Sequence, residues 1–176
     1  MKKRFWLPVL SIPFILIIVS SCMGSSQPPE IIGKTKKQAV KTELVDGGVN
    51  CDSLWKFVYN SDRLTLLEKC RTVTGVIEET NADDDGDQHM LLRLDKGQDG
   101  LLTKKNMTKK QGDLVIEAVC VNNIHEKKVG GTCQGYVNHI LIPAVGAHVR
   151  VSGSLVNDSH NGWNEIHPIA KLELIK

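Results

Sequence analysis

The fold is decided by Thr72–Leu94, which reads TVTGVIEETNADDDGDQHMLLRL. β-Branched and apolar residues dominate its two ends, Thr72–Glu79 and His89–Leu94, and a polar run of Asn, Asp and Gly lies between them. An Asp-Gly pair between two such runs is a strong signal for a β-hairpin, because Gly readily adopts the positive φ of a tight turn. The segment therefore predicts two antiparallel strands joined by an acidic turn.

Three further segments have strand character: Asp113–Val121, Ala147–Val156 and Asn164–Ile175. A long excursion separates the third strand from the fourth. Five strands punctuated by Gly, with one long connection, predict a mainly β fold, specifically a five-stranded OB-like Greek-key barrel.

A short N-terminal helical segment is predicted before the first strand. Apolar residues recur there at helical spacing behind Asp52 or Ser53, which could cap the helix. A break at 60–61 separates this helix from a second apolar turn. The residues concerned are Leu54, Trp55, Val58 and Tyr59 in the helix, and Leu64, Leu66 and Leu67 in the turn.

Alternation along the strands assigns side chains to the two faces of the sheet. The inward set is Met90, Leu92, Leu94, Val149, Val151, Leu155, Ile166, Ala170, Leu172 and Leu174, and the outward set is His89, Arg93, His148, Arg150, Glu165, His167, Lys171 and Glu173. Glu117 interrupts a strand that is otherwise apolar on both faces. Its carboxylate must lie either at an edge in water or in the interior beside a partner.

The N-terminus has the pattern of a bacterial lipoprotein signal. A basic start precedes the apolar run 5–19, and Val19-Ser-Ser-Cys22 is similar to a lipoprotein processing box. The run is too short to span a bilayer comfortably, so it indicates a removed signal rather than a stable membrane helix. We predict a signal peptide over 1–22 with lipidation at Cys22, and therefore a membrane-anchored, extracytoplasmic protein. The alternative is an uncleaved N-terminal anchor helix.

The net charge excludes a general affinity for polyanions. The 22 basic side chains fall to 19 when Lys2, Lys3 and Arg4 are removed with the signal, against 20 acidic side chains. A nearly neutral domain has no positive field for nucleic acid, which is therefore an unlikely partner. The sequence does not identify a small-molecule or protein partner.

After the signal peptide, the chain divides into a tether and one domain that contains four cysteines. Residues 23–49 are rich in Gly, Ser, Gln, Pro, Lys and Thr and predict a flexible tether, followed by the OB-like domain over 50–176. Four cysteines besides Cys22 lie in an oxidising compartment, which favours two disulfides. Each predicted pair, Cys51–Cys70 and Cys120–Cys133, encloses one irregular excursion of the chain.

The most specific stretch is 160–168, His-Asn-Gly-Trp-Asn-Glu-Ile-His-Pro. Together with 85–89 (Asp-Gly-Asp-Gln-His), Leu114–Glu117 and the pair Cys120 and Cys133, it resembles a family of largely uncharacterised secreted bacterial and archaeal proteins. The resemblance covers the chain from about Trp55 to its end and implies an OB-type fold. It implies no established activity, but it makes these polar residues candidates for a shared site.

OB folds usually bind ligands over strands two and three, between the loop joining strands one and two and the loop joining strands four and five. Those loops would be 80–88 and 157–163, and they bring an acidic cluster towards several imidazoles. The candidate ligand-binding residues are His89, Arg93, His160, Trp163, Glu165 and His167. Within this set, His89, His160 and His167 could hold a divalent metal such as zinc.

Structural roles compete with each of these assignments. The acidic turn Asp83–Asp87 could be a solvated hairpin turn rather than a calcium site. His167 could cap a strand, Glu165 could pair with Lys171 or Arg93, and Trp163 could close one end of the fold rather than stack on a ligand. The lysines at 104, 105, 109 and 110 could form a solvated face or contact lipid headgroups.

Two functions follow from these patterns. The first is a non-catalytic, lipid-anchored OB-like binding module for a ligand or partner. The second is a metal-dependent hydrolase in which the imidazoles hold the ion and Glu165 or Glu117 is the general base.

Overall fold

The computed structural model describes residues 48–125 and 129–176. The predicted signal, Cys22 and most of the tether lie outside these residues. The fold is mainly β, as predicted, with the five strands β1 (Leu64–Ala82), β2 (Gln88–Leu94), β3 (Leu114–Ala118), β4 (His148–Asp158) and β5 (Asn164–Leu174). One short helix, α1 (Lys104–Lys109), and the 3-10 turns Trp55–Phe57, Ser61–Arg63 and Asp99–Leu101 complete the regular elements.

The strands form one mixed sheet in the order β1-β2-β3-β5-β4. All neighbours are antiparallel except β3 and β5, which are parallel. The order closes into a ring because the long strand β1 pairs with β4 over its first part and with β2 over its last part. Gly75, at the changeover, pairs with both Leu94 and Val149, and a Cβ there would lie 2.3 Å from the carbonyl oxygen of Arg93.

The core fills the interior of this ring. Its fully buried members follow the predicted alternation in β2 and β4, and the interior is completed from β1, β3 and β5. The core residues are Val73, Ile77, Met90, Leu92, Leu114, Ile116, Ala118, Val149, Val151, Leu155, Ile166 and Ile169. On the outer side of β2, His89 is half-buried and Arg93 is exposed.

The predicted second apolar turn before the first strand is wrong. Leu64 and Leu66 belong to β1, where they pair with Asp158 and Val156 of β4. Leu66 and Leu67 are about half exposed, so their apolar character did not reflect a buried helical face. The helical segment consists only of the two 3-10 turns, and the first lacks a side-chain cap.

The alternation predicted for β5 is interrupted. Ile166 and Ile169, three positions apart, both belong to the core, whereas Leu174 is 63% exposed. The pairing of β5 with β4 shifts register next to Gly153, which pairs with Ile169. A one-residue slip moves the following side chains to the opposite face. The prediction that Ala170 and Leu174 fill the interior with Ile166 is therefore wrong.

Two disulfides join Cys51 to Cys70 and Cys120 to Cys133, the predicted pairing. Their Cα–Cα distances are 5.5 and 5.6 Å, within the usual range for a disulfide. Such bonds fit an oxidising, extracytoplasmic environment. Among the residues that the structure describes, no helix has the length and apolar character needed to cross a membrane.

Candidate functional site

A concave pocket of about 490 Å³ lies over β2 and β3. Its walls come from the end of β1, the β1–β2 loop, the β4–β5 loop and the turn that follows α1. The pocket is lined by Arg63, Glu79, Asn81, Asp83, Asp85, His89, Lys110, Glu117, Asp158, Asn161 and Trp163. Five of these eleven side chains are carboxylates, so the pocket is strongly polar and acidic.

His167 lies buried behind this pocket, and only 1% of the residue is exposed. Its Nδ1 atom is 2.8 Å from Glu117 Oε2 and 3.2 Å from Glu165 Oε1. Burial disfavours the imidazolium, but the two carboxylates outweigh burial and raise the pKa of His167 to about 10. His167 is therefore a buried cation at neutral pH.

The two carboxylates respond differently to the same surroundings. Burial opposes the ionisation of Glu117, but His167, assisted by His89 and Arg63, lowers its pKa to about 2. Burial and the negative charge of Glu117 together raise the pKa of Glu165. Glu165 Oε2 accepts a hydrogen bond of 2.8 Å from Trp163 Nε1, which ties the buried group to the pocket wall. Of the two positions considered for Glu117, an edge in water or the interior beside a partner, the structure shows the second: the carboxylate is buried and its partner is His167.

Arg63 is the second cation of this network. Its Nη1 atom donates to Asp158 Oδ2 at 2.5 Å and lies 3.6 Å from Glu165 Oε1, and its Nη2 atom is 3.9 Å from Glu117 Oε2. Burial disfavours its charged form, but the three carboxylates raise the pKa of Arg63 further above its ordinary value. No signal in the sequence pointed to Arg63, because Glu165 was predicted to face outward and Arg63 lies far from both carboxylates in the chain.

Asp87 shows that the acidic turn is only partly solvated. Asp84 is exposed, but Asp87 is 2% exposed and its Oδ1 atom accepts a hydrogen bond of 2.9 Å from the Cys120 N–H. Its Oδ2 atom has no hydrogen-bond partner and lies 3.7 Å from His167 Nε2. Burial and the nearby Asp85 raise the pKa of Asp87 to about 7. The prediction that the whole turn Asp83–Asp87 is solvated is therefore wrong for Asp87.

Lys110 lies inside the pocket, contrary to the interpretation of the lysine cluster as a solvated face or a lipid contact. Its Nζ atom is 3.2 Å from His89 Nε2 and 4.2 Å from the centre of the Trp163 ring. Burial, opposed by Glu117 and assisted by Lys110, lowers the pKa of His89, so its imidazole is neutral and can accept from the ammonium. The other three lysines of the cluster are exposed.

α1, which the sequence analysis did not predict, positions Lys110. Thr103 caps this helix by accepting from the N–H groups of Lys105 and Asn106, and the Asn106 side chain accepts from the N–H of Thr103. The buried Asn106 amide also donates to the carbonyl oxygens of Asp113 and Asn164. The signal for this helix was the Thr-x-x-Asn spacing of a capping box.

The structure brings together only some of the predicted site residues. His89, Glu117, Trp163, Glu165 and His167 form one connected set through the contacts given above. Arg93 points elsewhere and pairs with Glu78 at 2.6 Å. His160 is exposed in the β4–β5 loop, where its backbone N–H donates to Asp158 Oδ1. Glu165 pairs with neither Lys171 nor Arg93; Lys171 pairs with Glu173.

The predicted metal ligands His89, His160 and His167 do not form one group. Across 48–125 and 129–176, two groups of three candidate ligand atoms lie within 4.8 Å of one another. One is Asp87, Glu117 and His167, and the other is Asp87 with Cys120 and Cys133. The two cysteines form a disulfide and offer no thiolate. The first group could hold a metal ion only if His167 lost a proton, because a ligating imidazole nitrogen must be unprotonated.

Comparison of the chain with protein-family models, curated proteins and solved structures finds no match.

Proposed function

We propose that this protein is an extracytoplasmic, lipid-anchored binding module with an OB-type fold, and that it binds a small polar ligand in the pocket over β2 and β3. The observation that carries this proposal is the position of the pocket between the β1–β2 and β4–β5 loops. OB folds bind their ligands at this place. The ring order of the strands and the parallel pairing of β3 with β5 support the OB assignment.

The chemistry of the pocket favours binding over catalysis. Glu165 and Glu117, the candidate general bases of a hydrolase, are buried and already engaged by His167. Glu165 is further occupied by the Trp163 N–H. Glu165 does not line the pocket, so it cannot reach a proton of a bound ligand. Glu117 does line it, but its pKa is lowered to about 2, chiefly by His167, which makes it a weak base. The acidic lining also makes a polyanion such as nucleic acid a poor ligand.

We expect pocket variants to lose ligand-induced stabilisation. The test measures thermal unfolding of the full chain in detergent with three probes at millimolar concentration: 1,4-diaminobutane, glucose and inorganic phosphate. At least one probe should raise the melting temperature, and His89→Ala should abolish the rise because His89 lines the pocket. His139→Ala is the matched control, since His139 is exposed and outside the pocket lining. If no probe acts, or if the two variants respond alike, the proposed binding function is wrong.

The lipid anchor has its own test. Cys22→Ala should move the protein from the membrane fraction to the soluble fraction, or leave an uncleaved precursor, because the thiol that accepts the lipid is gone. Detergent phase partitioning and intact mass of both forms check this. Equal partitioning, with no lipid mass on the wild type, would exclude anchoring at Cys22.

A further inference from the structure

Three carboxylates of the pocket lack a cationic partner. Asp158 is paired with Arg63, and Glu117 with His167. Among the described residues, Glu79, Asp83 and Asp85 have no Lys, Arg or His nitrogen within 4.0 Å, and all three line the pocket. Partial burial, together with the negative charges of Glu117 and Asp85, raises the pKa of Asp83 to about 6, and the more distant Lys110 ammonium only partly opposes this rise.

The lining of the pocket already includes an ammonium group. Lys110 Nζ lies over the face of the Trp163 ring and against the neutral His89 imidazole. An aromatic face attracts a cation through its quadrupole, and the imidazole nitrogen accepts a hydrogen bond from it. Lys110 makes no ion pair with a carboxylate in the described part of the chain, so its ammonium is held by these two rings. This arrangement is a binding position for a primary ammonium that the protein fills with its own side chain.

We propose that the pocket binds a small organic cation with primary ammonium groups, such as an alkyl diamine, and that the ligand displaces the Lys110 ammonium from Trp163 and His89. This inference rests on the proposed binding function and names its ligand class. One ammonium would take the position that Lys110 leaves, and the remaining positive charge would be stabilised by Glu79, Asp83 and Asp85. A pocket of about 490 Å³ has room for such a molecule.

Isothermal titration calorimetry on the full chain in detergent tests the inference with 1,4-diaminobutane. Its neutral analogue 1,4-butanediol controls for shape, and calcium chloride controls for charge alone. The diamine should bind and the diol should not. Lys110→Met should raise diamine affinity about tenfold, because it removes both a competing ammonium and a like charge. Asp83→Asn should lower it about tenfold, whereas Asp99→Asn, an exposed acid outside the pocket, should leave it unchanged.

The outcomes separate this inference from the proposed function. If glucose or phosphate binds in a manner that depends on His89 and the diamine does not bind, the cation inference is wrong and the binding function stands. If no probe binds, both are wrong. Weaker diamine binding by Lys110→Met would overturn the displacement of Lys110. Calcium binding that exceeds diamine binding and is lost in Asp83→Asn would assign the pocket to a divalent metal ion instead.

Discussion

Replacing His167 by Gln is expected to lower the free energy of unfolding by about 3 to 5 kcal/mol at pH 7, because it removes the nearest cation from two buried carboxylates and leaves them only the more distant Arg63. The imidazolium lies 2.8 Å from Glu117 and 3.2 Å from Glu165, in a site from which water is excluded. Glutamine is similar in size but carries no charge. Urea unfolding of the wild type and the variant, with intact disulfides, measures the difference.

His148→Gln is the matched control for this result. His148 pairs with Asp95 at 2.9 Å, but 38% of its side chain is exposed, so its loss should cost less than about 1 kcal/mol. If the two variants lose similar stability, the buried network is not held by the charge of His167. The pH dependence gives a second check. Because the folded pKa of His167 is raised, its contribution is complete below about pH 6.5 and is lost as the pH rises towards about 10.

The wild type is expected to become less stable as the pH rises from about 4 to about 7, because Asp87 ionises in the folded protein. Asp87→Asn should not show this decrease in the free energy of unfolding. The folded pKa of Asp87 is raised, so its contribution is present below the ordinary value of 3.8 and is lost as the pH rises through about 7. At pH 8 the wild type must hold a buried carboxylate whose Oδ2 atom has no hydrogen-bond partner. The rise of its pKa from 3.8 to about 7 corresponds to a cost of about 4 kcal/mol for holding it ionised.

Unfolding in urea at pH 5 and pH 8 measures this effect. The wild type should lose more stability than Asp87→Asn between the two pH values, and Asp99→Asn should behave like the wild type. Asparagine retains an oxygen that can accept from the Cys120 N–H, so the change chiefly removes the charge. An identical pH dependence in the wild type and Asp87→Asn would mean that Asp87 is already ionised at pH 5 in the folded protein.

Much of the fold could be predicted from the sequence, because strand patterning and turn chemistry are local. The five strands lie close to their predicted positions, and the Asp-Gly of the acidic turn joins β1 to β2. The main error was at 64–67, where a half-exposed strand segment carries several leucines. Apolar spacing alone cannot distinguish such a segment from a helical turn. The segment is a strand because it pairs with β4, which lies about 90 residues away in the chain.

The candidate site was predictable in its place but not in its chemistry. The sequence placed His89, Trp163, Glu165 and His167 near one face, but it treated His167 and Glu165 as outward-facing groups open to a ligand. Both side chains are buried, and their charges are neutralised by one another and by Arg63. Arg63 lies about 100 residues from Glu165, and no local pattern connects the two. Arg93 and His160 were included because they share a strand or a loop with the site, although their side chains lie elsewhere.

The sequence by itself determined the strand pattern and the acidic turn, since both depend on short-range spacing. It also predicted the disulfide pairing, from the irregular excursion that each pair encloses, and the structure confirms that pairing. Only the tertiary structure decided which carboxylates are paired and which are free. The ionisation of Asp87, Glu117 and His167 depends on burial and on charges brought together by closure of the ring. The same closure places Lys110 over Trp163 and leaves Asp83 without a cationic nitrogen within 4.0 Å among the described residues. Long-range electrostatic contacts of this kind have no sequence period, so they emerge only when the strands are assembled.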